Sequence, residues 1–167
     1  MIFTPRPVFI YISLVLAFIL TIIPLPDFAG PFRPLWVAMT VLFWNITLPA
    51  EFNIGTSWIV GISLDIITGA TLGQHALAMI LMSYTVIRFY KQYRLFSVLQ
   101  QLLLVFAALM AYLLINNWIW GIGGENRTGW ADWSPLISSL LLWPWYQTLL
   151  SELNRYYRGM DSSRSAD

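Results

Sequence analysis

The chain has 167 residues, of which 58% are hydrophobic and 10% are charged, and its formal net charge is +1. A soluble domain carries about 25% charged residues, so this composition leaves too little polar surface to cover one and indicates a polytopic membrane protein. The near-neutral charge indicates no nucleic-acid partner. The absence of cysteine excludes disulfides and the single histidine excludes a multi-histidine metal site, so we expect no cofactor and no metal.

Six apolar segments predict an all-α fold of six transmembrane helices, most of them short for a span of roughly 20 residues. They cover residues 8–24, 34–49, 54–72, 74–90, 96–120 and 135–151. The first lacks a small-residue cleavage site and is expected to remain as a helix. Pro34 is expected at the first position of the second helix, which Pro49 closes. We expect one transmembrane domain, residues 1–158, and a disordered cytoplasmic tail, residues 159–167.

The basic residues predict the orientation of these helices. If six helices span the membrane and the N-terminus is cytoplasmic, the cytoplasmic side holds seven Lys and Arg residues and the outer side holds two. This asymmetry is typical of cytoplasmic loops, so both termini are predicted to lie in the cytoplasm. The seven are Arg6, Arg88, Lys91, Arg94, Arg155, Arg158 and Arg164, and the two are Arg33 and Arg127. Charge alone does not exclude a re-entrant pair formed by the third and fourth segments.

An acidic residue lies in the middle of the third segment. A carboxylate at membrane depth costs at least about 2.5–3.5 kcal/mol on insertion scales, so Asp65 is expected to face protein or a polar cavity. It belongs to a stripe of small residues with a spacing of four: Ser57, Gly61, Asp65, Gly69 and Gly73. On one helix this spacing gives a nearly continuous ridge, and small residues let another helix approach closely. The stripe therefore predicts a packing face, either internal or for a partner.

Asp65 could be a functional group or a structural one. The functional interpretation is a polar pocket formed with Thr68 and His75, an ion or proton site, or an anchor for a partner helix. The structural one is an acid satisfied by backbone groups and by the hydroxyls of Thr56, Ser63, Thr68 and Thr71. Ten residues along one helix span about 15 Å, which places His75 too far from Asp65 for direct contact.

Other polar residues have more ordinary interpretations. Asn45, Asn53, Asn116 and Asn117 lie near helix ends or within apolar segments, and each is expected to form hydrogen bonds between helices. Two basic, aromatic segments are expected on the cytoplasmic side, where they dock a partner, face anionic lipid, or both. These segments contain Arg88, Lys91 and Arg94, and Arg155 and Arg158.

Enzyme motifs are not found. The sequence contains no Gly-x-Ser-x-Gly elbow, no phosphate-binding glycine-rich loop and no His-Glu-x-x-His. An intramembrane protease needs paired aspartates or a Ser–His pair, and Asp65 has no second acid in the membrane segments to pair with. We therefore expect a protein that is not an enzyme.

Two ordered motifs stand out in the second and third segments. The first is Arg33-Pro34-Leu35 followed by Trp44 and Pro49, and the second is Gly61-x-x-x-Asp65-x-x-x-Gly69-x-x-x-Gly73-Gln-His75-Ala76-Leu77. Together with the length, the six short segments and the basic loop after the fourth, their order resembles the MreD family of rod shape-determining proteins. The resemblance covers essentially the whole chain.

The resemblance implies a non-enzymatic scaffold in the bacterial inner membrane. Its implied partners are the bitopic protein MreC, the actin-like filament protein MreB, and the glycosyltransferase and penicillin-binding transpeptidase that elongate the cell wall. It also implies a fold similar to the substrate-binding subunits of energy-coupling-factor vitamin transporters. The family's motif residues carry over to Arg33, Pro34, Trp44 and Pro49 in the second helix and to Asp65, Gly69 and Gly73 in the third.

Two functions from other classes remain as alternatives. One is a small-molecule or vitamin transporter subunit with a pocket near Asp65. The other is a component of an ion or proton pathway that uses the same carboxylate.

Overall fold

The computed structural model describes residues 7–26, 30–93, 95–124, 129 and 132–164, with the backbone alone for residue 7 and residues 158–164. Within these residues the chain forms six α-helices and no strand, which confirms the predicted all-α class. The helices are α1 (Pro7–Ile22), α2 (Trp36–Thr47), α3 (Ile54–Thr68), α4 (Gln74–Tyr93), α5 (Val98–Ile122) and α6 (Ser134–Arg164), and a short 3-10 helix, Gly30–Phe32, precedes α2.

The start of α2 differs from the prediction. Pro34 is not its first residue, because the helix begins at Trp36 and Leu35 has the non-helical angles φ −79° and ψ 64°. The N–H of Leu35, which has no partner within the helix, donates to Oγ of Ser139 on α6 at 2.9 Å. The end agrees with the prediction, since α2 stops at Thr47 and Pro49 lies in the following turn.

α3 is shorter than expected, and the predicted ridge along it is therefore wrong. The helix ends at Thr68, and Gly69 follows in the left-handed region with φ 68°. Gly73 also has a positive φ, 95°, and precedes the first residue of α4. A left-handed glycine ends a helix because its backbone turns away from the axis. Only Ser57, Gly61 and Asp65 of the stripe lie on α3.

α2 is the central helix of the fold. All ten residues from Val37 to Ile46 are buried, and the helix packs against α1, α4 and α6. α4 in turn packs against α3 and α5. Trp44 on α2 is fully buried, with its Nε1–H donating to Oγ of Ser13 on α1 at 2.9 Å and its ring in edge contact with Phe9. α2 therefore contacts α1, α4 and α6 directly, and α4 connects it to α3 and α5.

Apolar side chains lie on the outside of the helices as well as in their core. On α1, Val8, Ile12, Val15 and Leu16 are exposed, whereas Ser13 is buried and hydrogen-bonded. Large apolar side chains are likewise exposed along α3, α4, α5 and α6. In the described part of the chain, no buried side-chain nitrogen or oxygen lacks a hydrogen-bond partner. Exposed apolar side chains along several helices are suited to contact with lipid.

Helix lengths bear on the number of spans. Among the described helices, α5 is long and apolar enough to cross a bilayer by length and composition, and Val8–Ile22 and α3 are shorter apolar helices. α2, with 12 residues, is about 18 Å long, against a hydrocarbon core of about 30 Å. Six complete spans therefore remain a prediction.

α6 is longer than expected. It runs from Ser134 to Arg164, past residue 159, where the sequence predicts the start of a disordered tail. Residues 159–164 are therefore helical rather than disordered, because a single glycine, Gly159, costs only about 1 kcal/mol and does not stop a helix. Residues 165–167 lie outside the described residues.

Candidate functional site

The carboxylate of Asp65 meets the N-terminus of the next helix. Asp65 is 1% exposed. Its Oδ2 accepts from the N–H of Gly73 at 2.8 Å, and its Oδ1 accepts from the N–H of His75 at 2.8 Å. The first N–H groups of a helix have no partner within it, and the helix dipole favours a negative charge at that end. Asp65 therefore caps α4 from the neighbouring helix.

Two glycines give the chain the reversal that this contact needs. Gly69 and Gly73 have positive φ angles, and a Cβ added to either would meet no atom within 4 Å. Both are therefore required for backbone conformation and not for close packing. The N–H of Ala70 donates to the carbonyl of Asp65 at 3.1 Å, so the same residue also holds the start of the turn.

The expectation that Asp65 and His75 are too far apart is wrong, because the chain turns between them and does not continue as one helix. The contact uses the backbone N–H of His75. Its imidazole points elsewhere: Nδ1 lies 2.9 Å from Oη of Tyr112 on α5, and the two rings stack.

Thr68 does not join Asp65 in a pocket. Its hydroxyl donates to the carbonyl of Leu64 at 2.7 Å, within its own helix, and Ser63 likewise donates to Ile59. These two hydroxyls, expected to satisfy Asp65, are thus engaged with the backbone of α3. The groups that satisfy the carboxylate are backbone amides, which were the other part of that expectation.

Gly61 is the point of closest approach between α3 and α4. A Cβ at Gly61 would lie 2.4 Å from Cα and 2.8 Å from N of Ala76, which is itself fully buried. Ser57, one turn before, and Asp65, one turn after, are also buried. The small-residue face of α3 is therefore covered by this chain's own helices.

A buried amide connects three helices. Nδ2 of Asn45 on α2 donates to Oγ of Ser57 on α3 at 3.2 Å and to Oγ of Ser83 on α4 at 2.7 Å. This confirms the predicted inter-helix role of Asn45. Asn53 differs, since its Oδ1 caps α3 by accepting from the N–H of Gly55 at 2.9 Å.

A second polar contact lies between α4 and α5. Nε2 of Gln74 donates to Oδ1 of Asn116 at 3.0 Å, and both residues are buried, which confirms the expectation for Asn116. Sequence reasoning missed Gln74 and Ser83 as partners. The available signal was a polar residue on the inward face of an apolar helix, at a position where lipid offers no hydrogen bond.

Arg33 holds the end of α1. Its guanidinium donates to the carbonyls of Thr21 at 2.5 Å and Ile23 at 2.7 Å. The last carbonyls of a helix have no partner within it, and a cation is favoured there. The Arg33-Pro34 motif thus ties the C-terminus of α1 to the segment that leads into α2.

The basic residues predicted to face a cytoplasmic partner or anionic lipid are described on two helices, α4 and α6. Arg88 and Lys91 are exposed near the end of α4, and Arg155 on α6 is exposed and pairs with Glu152 at 2.6 Å. Arg94 lies outside the described residues, and only the backbone of Arg158 is described. Across the described ranges, no group of three His, Cys, Asp or Glu side chains is arranged as metal ligands.

Comparison with known proteins agrees with the family resemblance of the sequence. The family profile described as rod shape-determining protein MreD matches residues 3–153. A relative, "Rod shape-determining protein MreD" of Haemophilus influenzae (strain ATCC 51907 / DSM 11121 / KW20 / Rd), is 30% identical over 144 residues, which cover 84% of this chain and 87% of the relative. No solved structure matches the chain. The chain belongs to the MreD family of rod shape-determining proteins.

Proposed function

We propose that the chain is a non-enzymatic scaffold of the cell-elongation complex in the bacterial inner membrane. It crosses the membrane with six helices and keeps both termini in the cytoplasm. It couples MreC and the MreB filament system to the glycosyltransferase and transpeptidase that synthesise peptidoglycan, so that wall synthesis follows the filament. The observation that carries this proposal is the family match over nearly the whole chain.

The exposed apolar side chains support the membrane placement. Exposed apolar side chains cover the outside of the described helices, and polar ones such as Asn45 and Ser83 are inside and mutually bonded. A bundle of this kind presents its helices to lipid or to the membrane helix of a partner. The fold similarity to energy-coupling-factor subunits is part of the same proposal and rests on the resemblance alone.

The stripe on α3 contributes to this function indirectly. Ser57, Gly61 and Asp65 face α2 and α4, and Asp65 holds α4 through two amide hydrogen bonds. We propose that this face sets the relative position of α3 and α4, and that partners bind surfaces which these helices display. The basic segments, including Arg88 and Lys91, lie near cytoplasmic partners and anionic lipid in this arrangement.

A transporter subunit and a component of an ion or proton pathway, the two alternative functions, both need a carboxylate that is open to a ligand or a proton. Both oxygens of Asp65 already accept from backbone N–H groups, at 2.8 Å each. A carboxylate held in this way favours a structural role over transport or proton transfer.

Replacement of MreD in a rod-shaped bacterium tests the proposal. The gene for this chain, expressed in cells depleted of their own MreD, is expected to restore rods. An empty vector is the control. Round cells, despite membrane-inserted protein at normal abundance, would contradict a scaffold role.

A further inference from the structure

A groove of about 450 Å³ lies where α3 begins and α4 ends. Ile54, the first residue of α3, lines one side. Tyr84, Ile87, Arg88 and Lys91 line the other, and their spacing along α4 places them on one helix face. The groove is therefore apolar and aromatic toward the middle of α4 and basic toward its C-terminal end.

The positive charges of the groove have no acidic partner within the described part of the protein. Neither Arg88 nor Lys91 forms an ion pair with any side chain that the structure describes. Among the described residues, the ion pair is Arg155–Glu152 on α6. Lys91 instead lies 5.9 Å from the ring centroid of Tyr90. Glu51, in the turn before α3, is exposed and is not paired with either cation. The groove thus carries two unneutralised cations beside an apolar surface.

We propose that this groove binds one anionic phospholipid. Its phosphate lies between Arg88 and Lys91, and an acyl chain lies along Tyr84, Ile87 and Ile54. An arginine can contact a phosphate through two N–H groups, and a lysine adds a point charge. The inference rests on the membrane placement proposed above, in which this end of α4 meets the cytoplasmic leaflet, where anionic lipid attracts basic residues.

The apolar half of the groove selects lipid over a soluble acidic partner. A glutamate-rich peptide could neutralise Arg88 and Lys91, but it would leave Ile54 and Ile87 without an apolar contact. A phospholipid satisfies both halves with one molecule, since its headgroup and acyl chain are joined at the required polarity boundary. Charge complementarity and the apolar surface therefore point to the same occupant.

Native mass spectrometry of the purified full-length chain tests this inference. Phosphatidylglycerol and phosphatidylethanolamine with identical acyl chains are added in mild detergent, and preferential retention of phosphatidylglycerol is expected. Arg88→Gln is expected to weaken its binding about fivefold, and Arg88→Gln with Lys91→Gln about 25-fold. Ile54→Trp fills the groove without changing the charge and is expected to weaken binding as well. Arg164→Gln, which removes one positive charge near the C-terminus of the sequence, is the matched control and is expected to stay within about twofold.

Three results would overturn the inference. The first is equal retention of phosphatidylglycerol by the wild type and Arg88→Gln, and the second is equal loss in Arg88→Gln and Arg164→Gln. The third is displacement of the lipid by a soluble glutamate-rich peptide. Thermal unfolding of each variant is measured to check that the variant is folded. Co-purification with MreC is measured in parallel. If the chain binds MreC but shows no lipid selectivity, the lipid proposal is contradicted and the scaffold proposal is not. If the chain selects phosphatidylglycerol but does not bind MreC, the scaffold proposal is contradicted and the lipid proposal is not.

Discussion

The backbone N–H of His75 lies 2.8 Å from Oδ1 of Asp65, ten residues earlier in the chain. Together with the N–H of Gly73 on Oδ2, this contact joins the end of α3 to the start of α4. It gives the buried carboxylate a structural reason to be present, because the charge is stabilised by two amides and by the end of a helix dipole. The carboxylate therefore stabilises the turn between the two helices.

Replacing Asp65 with asparagine should destabilise the protein. The amide keeps one oxygen acceptor but turns its NH₂ toward a backbone N–H, which leaves a buried donor unsatisfied. We expect a loss of about 2 kcal/mol in the free energy of unfolding. Thermal unfolding of the purified protein in detergent measures it. Glu152→Gln, the same exchange at an exposed pair on α6, is the control and should change stability by less than about 1 kcal/mol. An unchanged stability with loss of a pH-dependent activity would instead indicate a proton pathway.

Alanine at Gly61 should separate α3 from α4. The new Cβ would lie 2.4 Å from Cα of Ala76, a backbone atom that cannot move without shifting the helix. Overpacking of this kind costs about 1–3 kcal/mol. Gly121→Ala, at a helical position with no atom within 4 Å of the added Cβ, is the matched control and should not lower the unfolding temperature. Equal stability of the two variants would contradict the contact.

At Gly69, alanine and leucine should be equally harmful. The added Cβ meets nothing within 4 Å, so the cost comes from the positive φ of 68° and is about 1–2 kcal/mol for either side chain. Gly69→Asn should cost less, because asparagine adopts this conformation more readily than other residues with a side chain. Unfolding temperatures of the three variants distinguish a backbone role of Gly69 from a packing role. A leucine variant far less stable than the alanine variant would instead favour a packed ridge.

Loss of the Ser83 hydroxyl should weaken the junction of α2, α3 and α4. It removes the 2.7 Å hydrogen bond from Asn45, and such inter-helix bonds contribute about 0.6 kcal/mol on average, with a maximum near 1.7. Thr85→Ala, two residues along α4, is the control, because it removes a hydroxyl that bonds only to Leu81 of its own helix. A double-mutant cycle of Ser83→Ala with Asn45→Ala should give a coupling energy of this size. A coupling energy of zero would show that the bond contributes nothing.

Much of the fold follows from hydrophobic segments and proline. The six segments and the end of α2 before Pro49 correspond to the helices observed. The sequence could not locate the end of α3, because glycines four residues apart, such as Gly69 and Gly73, fit both a small-residue helix face and left-handed turns. The choice depends on the tertiary contact between Asp65 and the amides of α4.

The surroundings of Asp65 could likewise be predicted only in part, because they depend on tertiary contacts. That Asp65 faces protein follows from the cost of a charge in lipid, and its burial agrees. Its partners are backbone N–H groups, which carry no sequence signature. Likewise, the N–H of Leu35, just before α2, finds its partner in Ser139, over a hundred residues away. Contacts of this range lie beyond local patterns.

The scaffold proposal is tested most directly by a pull-down. The tagged full-length chain is purified from membranes of a rod-shaped bacterium, and the proteins recovered with it are identified. The account predicts that MreC and the wall-synthesis enzymes are recovered with the wild type and with Gly121→Ala, and that recovery falls with Gly61→Leu. Recovery of an ATPase module in place of MreC and the wall-synthesis enzymes would contradict it.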